Sequence, residues 1–562
     1  MKKFKQFSLF AMLFAALFMF SACGSTTTAP SEEPSAAAPA EDTTEDDTAA
    51  EPVASGEKIV RVNNATEPGS LHPALAKGTH DSWVIDSSFV GLFEKTPDGT
   101  IGKALAKDVA ISEDGRTYTI TLRDDTKWSN GDSVTAHDFV TSWLYCLNPD
   151  NGAFYSSQLY IMEGGEAYNS GTGTVEDVQI KALDDYTLEF TLVNPLPYLE
   201  DLMTHYVFLP INTAVSEEFP DWYKSPENYV TNGAFIMTEW NSKENIELRK
   251  NDMYYDADKV KLDGISMIIT DDKNTEWQLY EAGELDLVYT ALPAVLDKLK
   301  AEESPELSIL PDLATYYYGF NCEKAPFNNA KVRTALTMAI DRKVIVDNVV
   351  KGGQTPAYTM TPTGILTPDG QNFVDYVGPT FTEDYDAAKA LLEEGLAEEG
   401  MSMDTFTFSL LYNTNDNHKK IAEAVQNMWK QNLGVDVTLE NAEFQVVLDR
   451  RKAGDYDVVR AGWIGDYVDP ITFLDMFVSD SSLNDVFFAN EKYDELIAAS
   501  YAEQDPVARY EILKEAELLL MSEMPIAPIY YYTKQIIQKP NLVDVFTPIN
   551  KYPVFTYADI VE

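Results

Sequence analysis

The residues best suited to hold a ligand sit together in Gly462-Trp463-Ile464-Gly465-Asp466-Tyr467. Gly462 and Gly465 allow close backbone approach. Trp463 and Tyr467 offer flat apolar surface with a polar handle, and Asp466 offers a fixed negative charge. Together they could hold an ammonium group beside an exposed backbone edge; an aromatic-rich turn with a capping aspartate is the other reading of the same residues. Signs of catalysis and metal binding are missing. The five histidines, His72, His80, His137, His205 and His418, stand in no HExxH or related zinc spacing. There is no GxxxxGK[ST] phosphate loop, no GxSxG elbow and no CxxC. The expectation is therefore a protein that is not an enzyme and carries no cofactor or metal.

The elements that position this segment read as α/β. Ile59 to Val62 opens a strand, and Thr117 to Leu122 alternates as another. Thr135 can cap a helix, with Asp138 three residues on and Phe139, Val140, Trp143, Leu144 and Leu147 as its apolar stripe, beside which Cys146 lies. Asn328 reads as the cap of a helix carrying Val332, Ala335, Leu336 and Ala339. From His418 to Gln431 the period is helical, with Ile421, Ala424, Val425 and Met428 on one face, and Gly434 ends it. Val435, Val437 and Leu439 then alternate as a half-buried strand, a short helix follows with Val447 and Leu448, and Tyr456 to Ala461 reads as a strand. Strand, helix, strand implies a parallel crossover. Ligands gather beyond the carboxyl ends of such strands, where the Gly462–Tyr467 segment is expected. No internal repeat is visible.

Composition narrows the functional classes. The net charge of −49 argues against nucleic acid, which needs clustered Lys and Arg. Aromatics at 12% supply a large core, and about 500 residues beyond the N-terminal region are enough for two or three lobes. Of the three cysteines, Cys146 and Cys322 read as separate buried thiols. At the N-terminus Lys2, Lys3 and Lys5 precede an apolar run, Leu9 to Phe20, too short to span a bilayer as a helix and laid out like a secretory signal. The next residues, Ser21-Ala22-Cys23-Gly24, resemble a bacterial lipobox, with Phe20 where that pattern usually has Leu. The resemblance implies a signal peptide over 1–22, lipid on Cys23 and a membrane anchor on the extracytoplasmic face. Residues 23–57 follow as an acidic tether: Glu32, Glu33, Glu41, Asp42, Glu45, Asp46, Asp47 and Glu51 lie there with almost nothing to bury, which predicts a disordered stalk.

Motifs along the body carry a second resemblance. Arg460-Ala-Gly-Trp-Ile-Gly-Asp-Tyr-Val-Asp-Pro470, Glu67-Pro-Gly-Ser-Leu-His-Pro73, Lys127-Trp-Ser-Asn-Gly-Asp132, Thr135-Ala-His-Asp-Phe139, Val230-Thr-Asn-Gly-Ala-Phe235, Ala325-Pro-Phe327, Val332-Arg-Thr-Ala-Leu336 and Leu411-Tyr-Asn-Thr414 occur in the order seen in the solute-binding proteins of family 5, the oligopeptide-binding proteins of ABC importers. His72 stands where the family usually has Asp. The resemblance runs from about Lys58 to the C-terminus. It implies a periplasmic-binding-protein-like fold of class II (cluster C) with three lobes: lobe I over 58–93, 193–313 and 534–562, lobe II over 94–192 and lobe III over 314–533. Lobes I and III would close over an extended peptide paired through its main chain.

Site residues carried over by the resemblance are expectations. Asp466 would hold the peptide's α-ammonium. Arg451, Arg460 and His418 would meet or orient its C-terminal carboxylate, although Arg460 has a structural alternative as the partner of an acidic residue near Asp81. Tyr155, Tyr289 and Tyr317 match cleft tyrosines, with plain packing as the alternative for each. Gly462 and Ile464 would supply backbone pairing, and Trp463 and Phe444 would line pockets. A family disulfide is absent, because its positions are Ala314 and Ile464 here. A family lysine falls at Val350, next to Lys351, and two family asparagines at Thr290 and Ala291. The implied partners are short peptides and the permease subunits, with the protein a monomer. Binding of dipeptides, murein peptides or nickel complexes, or reception of a peptide pheromone, remains the alternative.

Overall fold

The computed structural model describes residues 56–561. The expected signal peptide, Cys23 and nearly all of the acidic tether lie outside the described residues. Three sheets organise the rest. The first has the order β1 (Ile59–Asn63), β10 (Gly264–Ile268), β9 (Asn245–Lys250), β8 (Phe235–Asn241). A short ribbon of β2 (Phe93–Lys95) and β3 (Ile101–Lys103) leads from it to the second sheet, which is antiparallel throughout: β4 (Ala106–Ile111), β5 (Thr117–Leu122), β7 (Thr187–Thr191), β6 (Ile180–Asp184). Tyr118, Ile120 and Leu122 of β5 are buried while the alternate threonines face outward, the period expected of a half-buried strand.

The third sheet has seven strands: β11 (Leu287–Tyr289), β17 (Ile526–Gln538), β12 (Leu307–Phe320), β16 (Val458–Ile464), β14 (Thr407–Asn413) and β15 (Asp436–Ala442), with β13 (Thr355–Pro356) also pairing β17. Its two faces are covered by separate apolar cores. β15 and β16 both run parallel to β14, one on each side, the crossover expected from strand–helix–strand. β12 pairs β17 along most of its length, but the register breaks where Pro311 faces Thr533 and Thr315 faces Tyr531. Three residues, Asp312 to Ala314, there oppose the single Tyr532, and such a bulge bends the pair. The expected lobe borders at 313/314 and 533/534 fall at this bulge, inside two continuous strands.

Local expectations are corrected at three points. The helix Ala330–Met338 is capped by Asn329, whose Oδ1 accepts from Lys331 N at 2.9 Å, and not by Asn328. The helix expected from His418 spans Asp416–Leu433, capped by Asn415 and ended by Gly434 in the left-handed region. The strand expected over Tyr456–Ala461 is Val458–Ile464. Gly462, Trp463 and Ile464 therefore lie within it, because pairing with Ala314–Tyr316 of β12 carries it past the glycine. Cys146 and Cys322 are both free thiols. Among the described residues no helix is long and apolar enough to cross a membrane.

The helix Ala136–Leu147 shows how sequence builds the cavity wall. Thr135 caps it and Asp138 closes the capping box from the third helical position. Asp138 is buried and accepts from Thr135 N (2.9 Å), Trp128 Nε1 (3.1 Å), Thr213 N (2.9 Å) and Thr213 Oγ1 (2.9 Å). One carboxylate thus joins helix start, preceding loop and the Thr213 segment, and the chain leaves the helix toward Tyr155. Asp138→Ala orphans several donors at once, so urea unfolding is expected to show a loss of about 3 kcal/mol. A loss under about 1 kcal/mol would contradict this role.

Candidate functional site

A cavity of about 290 Å³ opens between the third sheet, at Tyr289, Asp312, Ile464 and Lys534, and the 77–86, 155–158 and 201–206 segments. Four carboxylates line it, and three are already paired. Asp86 meets Lys551 at 3.1 Å, Asp312 meets Lys534 at 3.6 Å, and Asp201 is ion-paired with Lys95. Asp466 has no cation among the described residues. Its surface opens onto the cavity, yet the surrounding protein desolvates it and its pKa is raised by burial. A carboxylate that has lost part of its hydration without gaining a partner is poised to take an external cation.

The loop around Asp466 is pinned on every side. A Cβ on Gly465 would lie 2.8 Å from Leu313 Cδ2 and 2.9 Å from Phe473 Cε2, so only glycine lets the chain turn there without a shift. Asp466 N donates to Thr472 Oγ1 at 3.3 Å. Tyr467 stacks on Tyr198 at 4.0 Å between centroids, and Val468 N donates to Asp201 Oδ1 at 3.0 Å. Asp469 accepts both Arg509 Nη1 (2.6 Å) and Nη2 (2.8 Å) in a buried bidentate pair. These contacts tie the loop both to the helices Ile471–Leu474 and Pro506–Glu523 and to the 198–201 segment.

The strand that leads to Asp466 has an open edge. β14 pairs β16 only at Val458 and Val459. Gly465 N donates to Leu313 O at 2.8 Å, continuing the β12–β16 ladder. By the alternation of an antiparallel pair, Gly462 and Ile464 then direct their backbone N–H and C=O groups away from β12, toward the unpaired side, as does the C=O of Arg460, whose N–H closes the last bond to Leu411 of β14. Ile464 is 70% exposed beside the cavity. Its register partner is Ala314, so the two positions face each other across the strands with no cysteine at either.

Arg460 lies at the far end of that edge. Its Nη2 donates to Tyr532 Oη at 3.0 Å and its Nη1 to Asn413 Oδ1 at 3.4 Å, while its guanidinium carbon sits 4.7 Å from the centroid of the Tyr316 ring. A Cβ on Gly462 would crowd Arg460 Nη2 at 3.2 Å. No carboxylate pairs with Arg460 among the described residues. Asp81 accepts instead from the backbone N–H groups of Gly69 (2.6 Å), Lys77 (2.9 Å) and Gly78 (3.1 Å). His418 lies against Tyr316, its pKa lowered to about 4 by burial and by Arg460, and its buried Nδ1 has no partner.

The other expected residues divide. Tyr155 and Tyr289 line the cavity, Tyr155 edge-on to His205 and Tyr289 beside Tyr552. Tyr317 is 1% exposed and belongs to the core on the opposite face of the third sheet. Arg451 pairs with Asp485 at 3.0 Å, away from the cavity. Trp463 is half-buried against the same core as Tyr317, with its Nε1 unpartnered. Phe444 is 56% exposed at the start of the helix Phe444–Lys452 and does not line the cavity. Sequence reasoning passed over the three aspartate–lysine pairs and Lys77, which also line or flank this space. Their partners are far apart in the chain and belong to no local pattern.

Residues 100–485 match the family described as bacterial extracellular solute-binding proteins, family 5. The oligopeptide-binding protein OppA of Bacillus subtilis is 42% identical over 506 residues, covering 88% of this chain and 91% of that protein. The periplasmic OppA of Salmonella typhimurium is 38% identical over 501 residues, covering 88% and 90%. Among solved structures, the unliganded open form of the murein tripeptide-binding protein MppA aligns with TM-score 0.81 at 34% identity, covering 90% of this chain and 98% of that one. Haemophilus influenzae OppA in complex with the peptide RPPGFSPFR aligns with TM-score 0.68 at the same 34% identity, covering 90% and 99%. At equal identity the arrangement here is nearer the open one. With a family match over most of its length and relatives of this identity and coverage, the chain belongs to the bacterial extracellular solute-binding proteins of family 5.

Proposed function

We propose that this protein is the extracytoplasmic substrate-binding subunit of an ABC oligopeptide importer. It captures short extended peptides by their α-amine and main chain and delivers them to permease subunits. The observation that carries this is Asp466: one unpaired, partly desolvated carboxylate in a cavity whose other three are each neutralised by lysine. The open edge at Arg460, Gly462 and Ile464 supports main-chain pairing. Arg460 and Ile464 are four steps apart along the strand, about 13 Å, which suits peptides of roughly three to five residues between an amine at Asp466 and a carboxylate near Arg460 and His418. The relatives named as oligopeptide-binding proteins favour the same reading.

The lobes proposed at 58–93, 193–313 and 534–562 (I), 94–192 (II) and 314–533 (III) place the hinge at the β12–β17 bulge. Peptide would then shift an open–closed equilibrium, because only the closed form touches the ligand from both sides. Lipid on Cys23 would hold the protein beside its permease at high local concentration. Cys23→Ser should abolish incorporation of labelled fatty acid and release the protein from membranes; unchanged membrane association would contradict the anchor.

Asp466→Ala removes a charge-assisted bond in an enclosed site. Calorimetry with a tripeptide to pentapeptide should show a loss of about 3 kcal/mol or more, over a hundredfold in affinity; unchanged affinity would refute the reading. The raised pKa of Asp466 predicts a pH dependence as well. Ligand-free, the group holds its proton to higher pH than an ordinary carboxyl, and a bound ammonium pulls that pKa down. Binding therefore expels the proton: affinity is full above the raised pKa and falls as pH drops through it. Asp466→Asn should flatten this acid limb, and an acid limb that survives the substitution would assign it to another group.

A further inference from the structure

Charges around the cavity cancel with two exceptions, Asp466 and Lys77. Lys77 lines the same space and pairs with no carboxylate among the described residues. Its ammonium lies 5.9 Å from the centroid of Phe154, a ring that is itself 62% exposed, so this contact holds it weakly. The backbone beneath is fixed. Lys77 N and Gly78 N both donate to the buried Asp81 carboxylate, at 2.9 Å and 3.1 Å. A rigid stem thus presents a mobile cation to the cavity, while Asp86, Asp201 and Asp312 are each committed to a lysine. The cavity is a dipolar receptor with one anion and one cation left over.

We infer that Lys77 is a specificity-determining residue that favours an acidic side chain on the first or second residue of the peptide. This rests on the reading of the cleft as a peptide site. With the peptide's α-ammonium on Asp466, the carboxylate of a glutamate or aspartate nearby meets Lys77, and both leftover charges are neutralised together. A lysine or arginine at the same place meets a like charge instead, which costs affinity and selects against it. The three aspartate–lysine pairs add little to this discrimination, because a neutralised pair presents a weak field to a ligand charge.

The test is calorimetry with Ala-Ala-Ala-Ala, Glu-Ala-Ala-Ala, Ala-Glu-Ala-Ala and the two lysine counterparts, on the unaltered protein, Lys77→Gln and Lys77→Arg. The unaltered protein should prefer one glutamate peptide over its lysine counterpart by about tenfold, shrinking in added salt. Lys77→Gln should cut that ratio to within about twofold while tetra-alanine binding changes little, and Lys77→Arg should keep it. Equal affinities for the glutamate and lysine peptides in the unaltered protein, or the same ratio in Lys77→Gln, would overturn the assignment. Failure of the unaltered protein to bind any of the five peptides would overturn the peptide reading itself, so the two failures are told apart.

Discussion

The structure turns on one electrostatic imbalance: among the described residues Asp466 is left without a cation in a cavity where every other carboxylate has one. Burial raises its pKa, and nothing in the ligand-free protein relieves the cost. An ionised group in that position is stabilised most by a compact, strongly hydrated cation that sheds its water on arrival, and the α-ammonium of a peptide is one. Pairing the neighbouring aspartates with Lys95, Lys534 and Lys551 keeps those carboxylates from competing for it.

The fold serves that imbalance by holding Asp466 still while leaving the strand edge beside it open. Gly465 makes the turn, the Asp469–Arg509 pair anchors the loop to the helix Pro506–Glu523, and Tyr467 and Val468 lean on Tyr198 and Asp201 from the other wall. β16 is paired along one edge by β12 and abandoned by β14 after Val459, which is what an added strand needs. β12 and β17 pass continuously through the proposed lobe border, and their bulge at Asp312–Ala314 is where bending would cost least pairing. Asp312 sits on that bulge and Lys534 on the facing strand, so this ion pair belongs to the bulge as well as to the cavity wall.

What could be read from sequence was local. The Thr135/Asp138 capping box, the half-buried alternation of Thr117–Leu122 and the parallel arrangement around β14 all have short-range causes that leave a pattern. Asn328 and Asn329 are equally good caps by type, and the bond from Lys331 N to the Asn329 side chain that chooses Asn329 has no sequence signature. The expected strand over Tyr456–Ala461 stops short of Ile464 because the pairing of Gly462 with Tyr316 and of Ile464 with Ala314 has no local signature. In the site, Asp466 stood out by its company of glycines and aromatics. Its isolation did not, because the charges that cancel one another are remote in the chain: Asp86 and Lys551 are separated by 465 positions. Tyr317 shows the converse. It shares its strand with residues of the cleft side, but the period of two turns it into the opposite core.

The most direct measurement is a crystal structure of the protein with a bound tetrapeptide. It should place the peptide's α-nitrogen within about 3 Å of the Asp466 carboxylate, with its main chain bonded to the free edge of Arg460–Ile464. A complex in which the amine lies away from Asp466, or in which that carboxylate is paired with a lysine of the protein itself, would contradict the account.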